Sequence, residues 1–168
     1  MKKLILLTSL AVFTTVSQAA IVFYGATLDG LQENPPNASP AIGAVSLSVD
    51  TVTGAWTLTG TFGGLLGSPT AAHIHGPAAV GVNAGVLKGL TLGVGTLSGT
   101  EANSGGVYTA PQLADLAAGL HYVNLHSTVF PGGEIRGQLS LVPEPGTYAL
   151  IAGVGLCAFA VWRRRSLV

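Results

Sequence analysis

His73-Ile74-His75-Gly76 is the stretch whose residue types and spacing most directly suggest chemistry. On an extended strand, side chains two apart share a face, so His73 and His75 project together, roughly 7 Å apart, while Ala72 and Ile74 turn toward a core. Two imidazoles so placed can ligate one ion, and neutral imidazole nitrogen suits copper or zinc. Between Leu120 and Ser127, Val123 and Leu125 take the inward register, leaving Tyr122, Asn124 and His126 on the other face. His126 is therefore the third candidate ligand if the two strands are neighbours, whereas His121 falls on the side of the apolar residues. Histidines at this spacing also hydrogen-bond backbone carbonyls or carboxylates and bind nothing, and the spacing alone does not separate the two roles.

Arg136 is the other conspicuous side chain. It follows the tight turn Pro131-Gly132-Gly133 and alternates with Ile135, Leu139 and Leu141, which puts it with Gln138 on the face away from the core. A role in pinning a loop, through Glu33 or Asp50, is favoured over anion binding. No Gly-rich phosphate loop, nucleophile elbow or helix-borne histidine pair is present, so no catalytic residue is assigned and a non-enzymatic protein is expected.

The elements that must carry these residues read as β structure. Val45, Leu47 and Val49 alternate with Ser46 and Ser48, and after a turn over 51–54, Trp56, Leu58, Gly60 and Phe62 alternate with Thr57, Thr59 and Thr61. That is a hairpin with one apolar and one hydroxylated face. Further strands are expected over 21–28, 71–75, 86–92, 94–100, 120–127 and 134–141. About eight short strands separated by Gly and Pro predict an antiparallel sandwich or barrel. One short crossover helix interrupts them: Thr109 with Gln112 three residues on forms a capping box, Pro111 sits in the first turn, and Gly119 ends it.

The two ends are different in kind. Lys2-Lys3, an apolar run over 4–16 and small residues before Ala19 form a secretory signal peptide over 1–19, handled by the secretion machinery. At the other end, Pro143-Glu144-Pro145 precedes a charge-free run from Tyr148 to Trp162 and the cluster Arg163-Arg164-Arg165. Fifteen helical residues span about 22 Å, short of a bilayer core of roughly 30 Å, so the segment is a short transmembrane helix whose arginines stay cytoplasmic. The only cysteine, Cys157, lies in that run, so no disulfide supports the domain over 20–142.

The formal net charge of zero is a cancellation. Lys2, Lys3 and the three terminal arginines sit in the end segments, whereas the domain holds Lys88 and Arg136 against Asp29, Glu33, Asp50, Glu101, Asp115 and Glu134. So mild an acidic balance excludes nucleic-acid binding by phosphate neutralisation.

The tail, with its Pro-Glu-Pro motif, apolar helix and arginine cluster in order, closely resembles the PEP-CTERM sorting signal. The resemblance implies recognition of Pro143, Glu144 and Pro145 by an exosortase-type protease, membrane retention by Arg163, Arg164 and Arg165 until cleavage, and delivery to the cell envelope, surface or extracellular polysaccharide. The domain resembles the CHRD family. The match rests on Leu28-Asp29-Gly30-Leu31-Gln32-Glu33-Asn34-Pro35-Pro36, on Ala71-Ala72-His73-Ile74-His75-Gly76-Pro77, and on Val123-Asn124-Leu125-His126-Ser127 leading into Pro131-Gly132-Gly133-Glu134-Ile135-Arg136-Gly137-Gln138-Leu139. That resemblance implies an immunoglobulin-like β-sandwich and leaves the biochemical role open.

The His-Ile-His strand and the late Gly-x-x-Arg strand are also faintly similar to copper/zinc superoxide dismutase, where an arginine beside the copper steers the anion. That enzyme needs a bridging histidine and further zinc ligands between the two regions, and residues 76–120 contain no histidine. What the likeness implies is at most a mononuclear copper or zinc site at His73, His75 and His126. The leading expectation is an exported, non-enzymatic surface interaction module without a cofactor; the alternative is a copper or zinc binding protein.

Overall fold

The computed structural model describes residues 21–143 together with Phe159, Trp162 and Arg163. The expected signal peptide and almost all of the sorting segment, with its apolar helix, Glu144, Pro145, Arg164 and Arg165, lie outside the described residues. Among those described, no helix is long and apolar enough to cross a membrane.

The alternating segments become strands β1 (Ile21–Asp29), β2 (Ile42–Asp50), β3 (Trp56–Gly63), β4 (Pro69–His75), β5 (Val86–Leu92), β6 (Thr96–Thr100), β7 (Tyr122–Ser127), β8 (Ile135–Gln138) and β9 (Ser140–Leu141), all antiparallel to their neighbours. Helix α1 (Ala110–Ala117) crosses from β6 to β7, and its Gln112 side chain accepts from the Thr109 amide at 3.0 Å, as the capping box requires. The stretch over 134–141 is two strands rather than one. At Leu139 the chain leaves β7, its amide donating to the His121 carbonyl, and β9 pairs with Tyr24 and Gly25 of β1.

Hydrogen-bonded neighbours run β2-β3-β6-β5-β4-β7-β8-β1, and β1 also pairs with β2, so eight strands close a ring. Closure is uneven. Long registers hold β1-β2-β3-β6 on one side and β5-β4-β7-β8 on the other, while β1 meets β8 only at Asp29 and Arg136, and β5 meets β6 over two pairs. The result is a flattened Greek-key barrel. An immunoglobulin-like sandwich keeps two separate sheets; here the ring-closing pairs at both seams join them.

Inward positions of both sides supply the core. Leu47, Leu58, Ile74, Val123, Leu125, Ile135 and Leu139 are fully buried, and Trp56 packs edge-on against Tyr108 at 5.9 Å. Each such aliphatic side chain contributes about 1.5–3 kcal/mol through burial. With no disulfide, that packing holds the domain together. His121 follows its apolar register inward, stacked on Tyr108 at 5.7 Å, and both its ring nitrogens are without a partner.

Candidate functional site

The site is built on the outer face of β4 and β7. In their register His73 lies opposite Asn124, Ala71 opposite His126, and His75 opposite Tyr122. Because Ala72, Ile74, Val123 and Leu125 all enter the core, His73, His75, Tyr122, Asn124 and His126 share the other face. Gly76 follows because any Cβ there would run into the ring of His121 and the Leu120 carbonyl.

That face is not open to water. Loop 76–85 folds over its lower half and the loops over 33–37 and 129–133 over its upper half, so His75, Tyr122 and Asn124 are buried while His73 and His126 are half-buried. The three histidines that sequence spacing singled out come together: one ring nitrogen from each lies within 4.8 Å of the others. His73 Nδ1 and His126 Nε2 are 3.2 Å apart. Two nitrogens on one tetrahedral ion with bonds of about 2.0–2.1 Å stand about 3.3 Å apart, so this pair already has the separation of a shared ligand edge.

The tautomers follow from the partners. His75 Nδ1 is 3.0 Å from the Ala84 carbonyl and His126 Nδ1 is 2.9 Å from the Pro131 carbonyl. A carbonyl only accepts, so both Nδ1 atoms carry the proton and both Nε2 atoms keep a free lone pair when the rings are neutral, that of His126 turned to His73. His75 Nε2 is buried with no hydrogen-bond partner. Burial, with the neighbouring His126 and His75 rings, holds His73 below the usual histidine pKa; burial likewise lowers His75 against the opposing pull of its bond to Ala84. Neutral rings with Nδ1 committed to a backbone carbonyl are the form in which histidine binds metal. The three rings could hold one metal ion if the wider gaps, up to 4.8 Å, close to the separation that His73 and His126 already have. There is no second histidine cluster for a dinuclear centre among the described residues.

Arg136 is almost fully buried. Its guanidinium lies 3.4 Å from the centre of the Tyr122 ring, donates to Val82 O at 2.8 Å and to Asn83 Oδ1 at 3.1 Å, and so pins loop 76–85. Neither Glu33 nor Asp50 is among its hydrogen-bonding partners; Glu33 acts on it only through its charge. Two of its five N–H donors are used in these bonds. Tyr122 was legible from the sequence as a residue on the histidine face, but its link to Arg136 was not, since it depends on β8 lying next to β7.

Glu33 accepts from Asn124 Nδ2 at 2.8 and 3.0 Å, and burial pushes its carboxyl up to about 7 against the opposing pull of Arg136. Folding therefore takes up a proton on Glu33 between pH 4.5 and about 7. The stability this contributes is full below the unfolded carboxylate's range and is lost as the pH rises through about 7. Glu33→Gln is expected to gain on the parent by about 1–3 kcal/mol between pH 4.5 and 8 in denaturant melts. A stability difference that stays flat with pH would show that the carboxyl is not raised.

A Greek-key β-barrel with a three-imidazole face defines an all-β domain protein. The CHRD domain matches residues 24–139, and the chain belongs to that family. The PEP-CTERM protein-sorting motif matches residues 141–165, which marks an exosortase-dependent protein of the cell envelope or surface. No curated protein and no solved structure matched the chain.

Proposed function

We propose that the domain is a non-enzymatic surface module that binds neutral extracellular polysaccharide after release from its sorting tail. The observation that supports this reading is the outer face of β2, β3 and β6. In register there, Ser46 faces Thr59, Ser48 faces Thr57, Thr59 faces Ser98, Thr57 faces Thr100 and Thr61 faces Thr96. These hydroxyls form an uncharged, exposed or half-exposed lattice with strand spacing of about 4.8 Å, suited to sugar hydroxyls. Both basic side chains of the domain, Lys88 and Arg136, are buried, so no cation is offered from this body to an acidic polymer. Thr59→Asp in the processed protein is expected to reduce co-sedimentation with the surface polysaccharide at least about fivefold, by desolvating a carboxylate without a partner. Unchanged co-sedimentation would remove this reading.

Delivery rests on the tail. The processed form should lack 148–168 by intact mass, and Pro143→Ala with Pro145→Ala should hold the protein in the inner membrane through the apolar run that follows. An arginine cluster still attached to the surface form would refute processing.

The three-histidine cluster, with the orphaned Nε2 of His75, supports a second reading in which the domain binds one copper or zinc ion. The protein should then take up about one equivalent of metal, and His73→Ala with His75→Ala should abolish it, read by elemental analysis after dialysis.

A further inference from the structure

The environment of His75 is more elaborate than a histidine at rest on a strand needs. Its ring lies parallel to that of Tyr122, 4.9 Å away with 4° between the planes. Strand β7 runs between β4 and β8, so Arg136 reaches Tyr122 from the side away from His75. Imidazole, phenol and guanidinium thus form a three-layer stack. The Tyr122 hydroxyl accepts from the Ala84 amide at 3.1 Å, and Ala84 is the residue whose carbonyl holds His75 Nδ1. Arg136 closes the circuit by binding Val82 and Asn83 in the same loop, and Asn83 in turn donates to Asn34 O at 2.9 Å.

We propose that Tyr122 and Arg136 are positioning residues of the three-imidazole site, fixing the ring plane and tautomer of His75 so that Nε2 is presented to a copper or zinc ion before the ion arrives. This rests on the metal reading above. Neither residue supplies a ligand atom. Tyr122 sets the plane by stacking and the tautomer through Ala84, and Arg136 holds both the tyrosine and the loop that carries Ala84. His126, held by the Pro131 carbonyl, is the second fixed ligand, and His73, bonded only to His126 among the ring nitrogens, completes the set. Groups that orient a metal-ligating histidine in this way typically change affinity about 10–100-fold when removed.

The test uses the processed protein with copper(II) and zinc(II). In the metal-free protein the His75 Nδ1 proton should be visible by NMR as a slowly exchanging resonance. Tyr122→Leu should lose that resonance, weaken copper about 10–100-fold and alter the copper EPR spectrum. Tyr122→Phe, which keeps the ring and loses only the two hydroxyl bonds to Ala84, one accepted from its amide and one donated to its carbonyl, should keep the stack and weaken copper less. Should Tyr122→Leu fail to fold, Asn83→Ala at the exposed end of the loop serves instead, with a loss of about threefold or more expected from its two lost hydrogen bonds, to Arg136 and to Asn34. A folded variant with the parent's affinity, spectrum and Nδ1 proton would overturn the positioning role while leaving the ion in place. A parent that shows the Nδ1 proton but takes up neither metal would remove the metal reading and the proposal with it.

Discussion

Gly137→Ala is expected to cost the domain about 4 kcal/mol or more, the range reserved for changes that a packed interior cannot absorb. Gly137 lies on β8, where that strand closes the barrel against β1. A Cβ there would be driven into the Thr27 carbonyl oxygen and the Leu28 side chain. The obstacle is backbone, so no rotamer change relieves it. The β1–β8 seam is a single pair, Asp29 with Arg136, and must open if β8 moves outward. Opening it withdraws Arg136 from Tyr122, so the effect reaches the histidine face as well. Chemical denaturation measures the loss, and metal uptake or the His75 Nδ1 resonance measures its spread. A variant within about 0.5 kcal/mol of the parent, the usual range for a surface change, would show that the seam has room to spare.

The second large effect is expected at Lys88. The sequence places this lysine on the same strand face as Leu90 and Leu92, an inward register for a charged side chain, and it is buried. Its Nζ donates to the carbonyls of Gly105, Gly106 and Val107 at 2.8, 2.8 and 3.0 Å and stands 5.3 Å over the Tyr108 ring. Burial holds its pKa below that of an ordinary lysine, yet three carbonyl oxygens retain the charge. The segment it gathers also supplies Gly106 O to the Trp56 indole at 3.0 Å.

Lys88→Met keeps the apolar stem and removes the three bonds. Hydrogen bonds to a charged group contribute about 1.5–3 kcal/mol each, and release of the ammonium's desolvation cost offsets part of the sum. A net loss of about 2–4 kcal/mol is expected, with Trp56 fluorescence changing before the global transition as the 104–108 loop detaches. A methionine variant as stable as the parent would mean that the carbonyls find water once the ammonium is gone.

Much of the site was legible in the sequence because strand periodicity is strict. Alternation put His73 and His75 on one face and His126 on the equivalent face of another strand, and burial of Ile74, Val123 and Leu125 follows from the same rule. Alternation does not say which strands are neighbours. That β4 pairs with β7, and β7 with β8, is a property of the Greek-key ring, and only those pairings bring three histidines to one point and lay Arg136 on Tyr122.

The same limit explains why strand number left a sandwich or a barrel open, while the family resemblance implied an immunoglobulin-like sandwich and the ring closes as a barrel. Strand number and hairpin turns are local, whereas closure depends on short seams between strands distant in the chain. The division at Leu139 is likewise non-local, since Ser140 and Leu141 pair with Gly25 and Tyr24 of β1, far away in the chain.

What the sequence determined by itself was the order of elements, most of the inward residues of each strand and the sorting motif, all of which are encoded in short-range patterns; Leu141, expected to face inward, is exposed because the chain has passed to β9 there. Only the tertiary structure decided that the two cations of the domain are buried among carbonyl oxygens, that the histidine tautomers are set by Ala84 and Pro131, and that a stacked arginine and tyrosine stand behind His75. Those are contacts between segments far apart in the chain, and their geometry is settled by how the barrel closes.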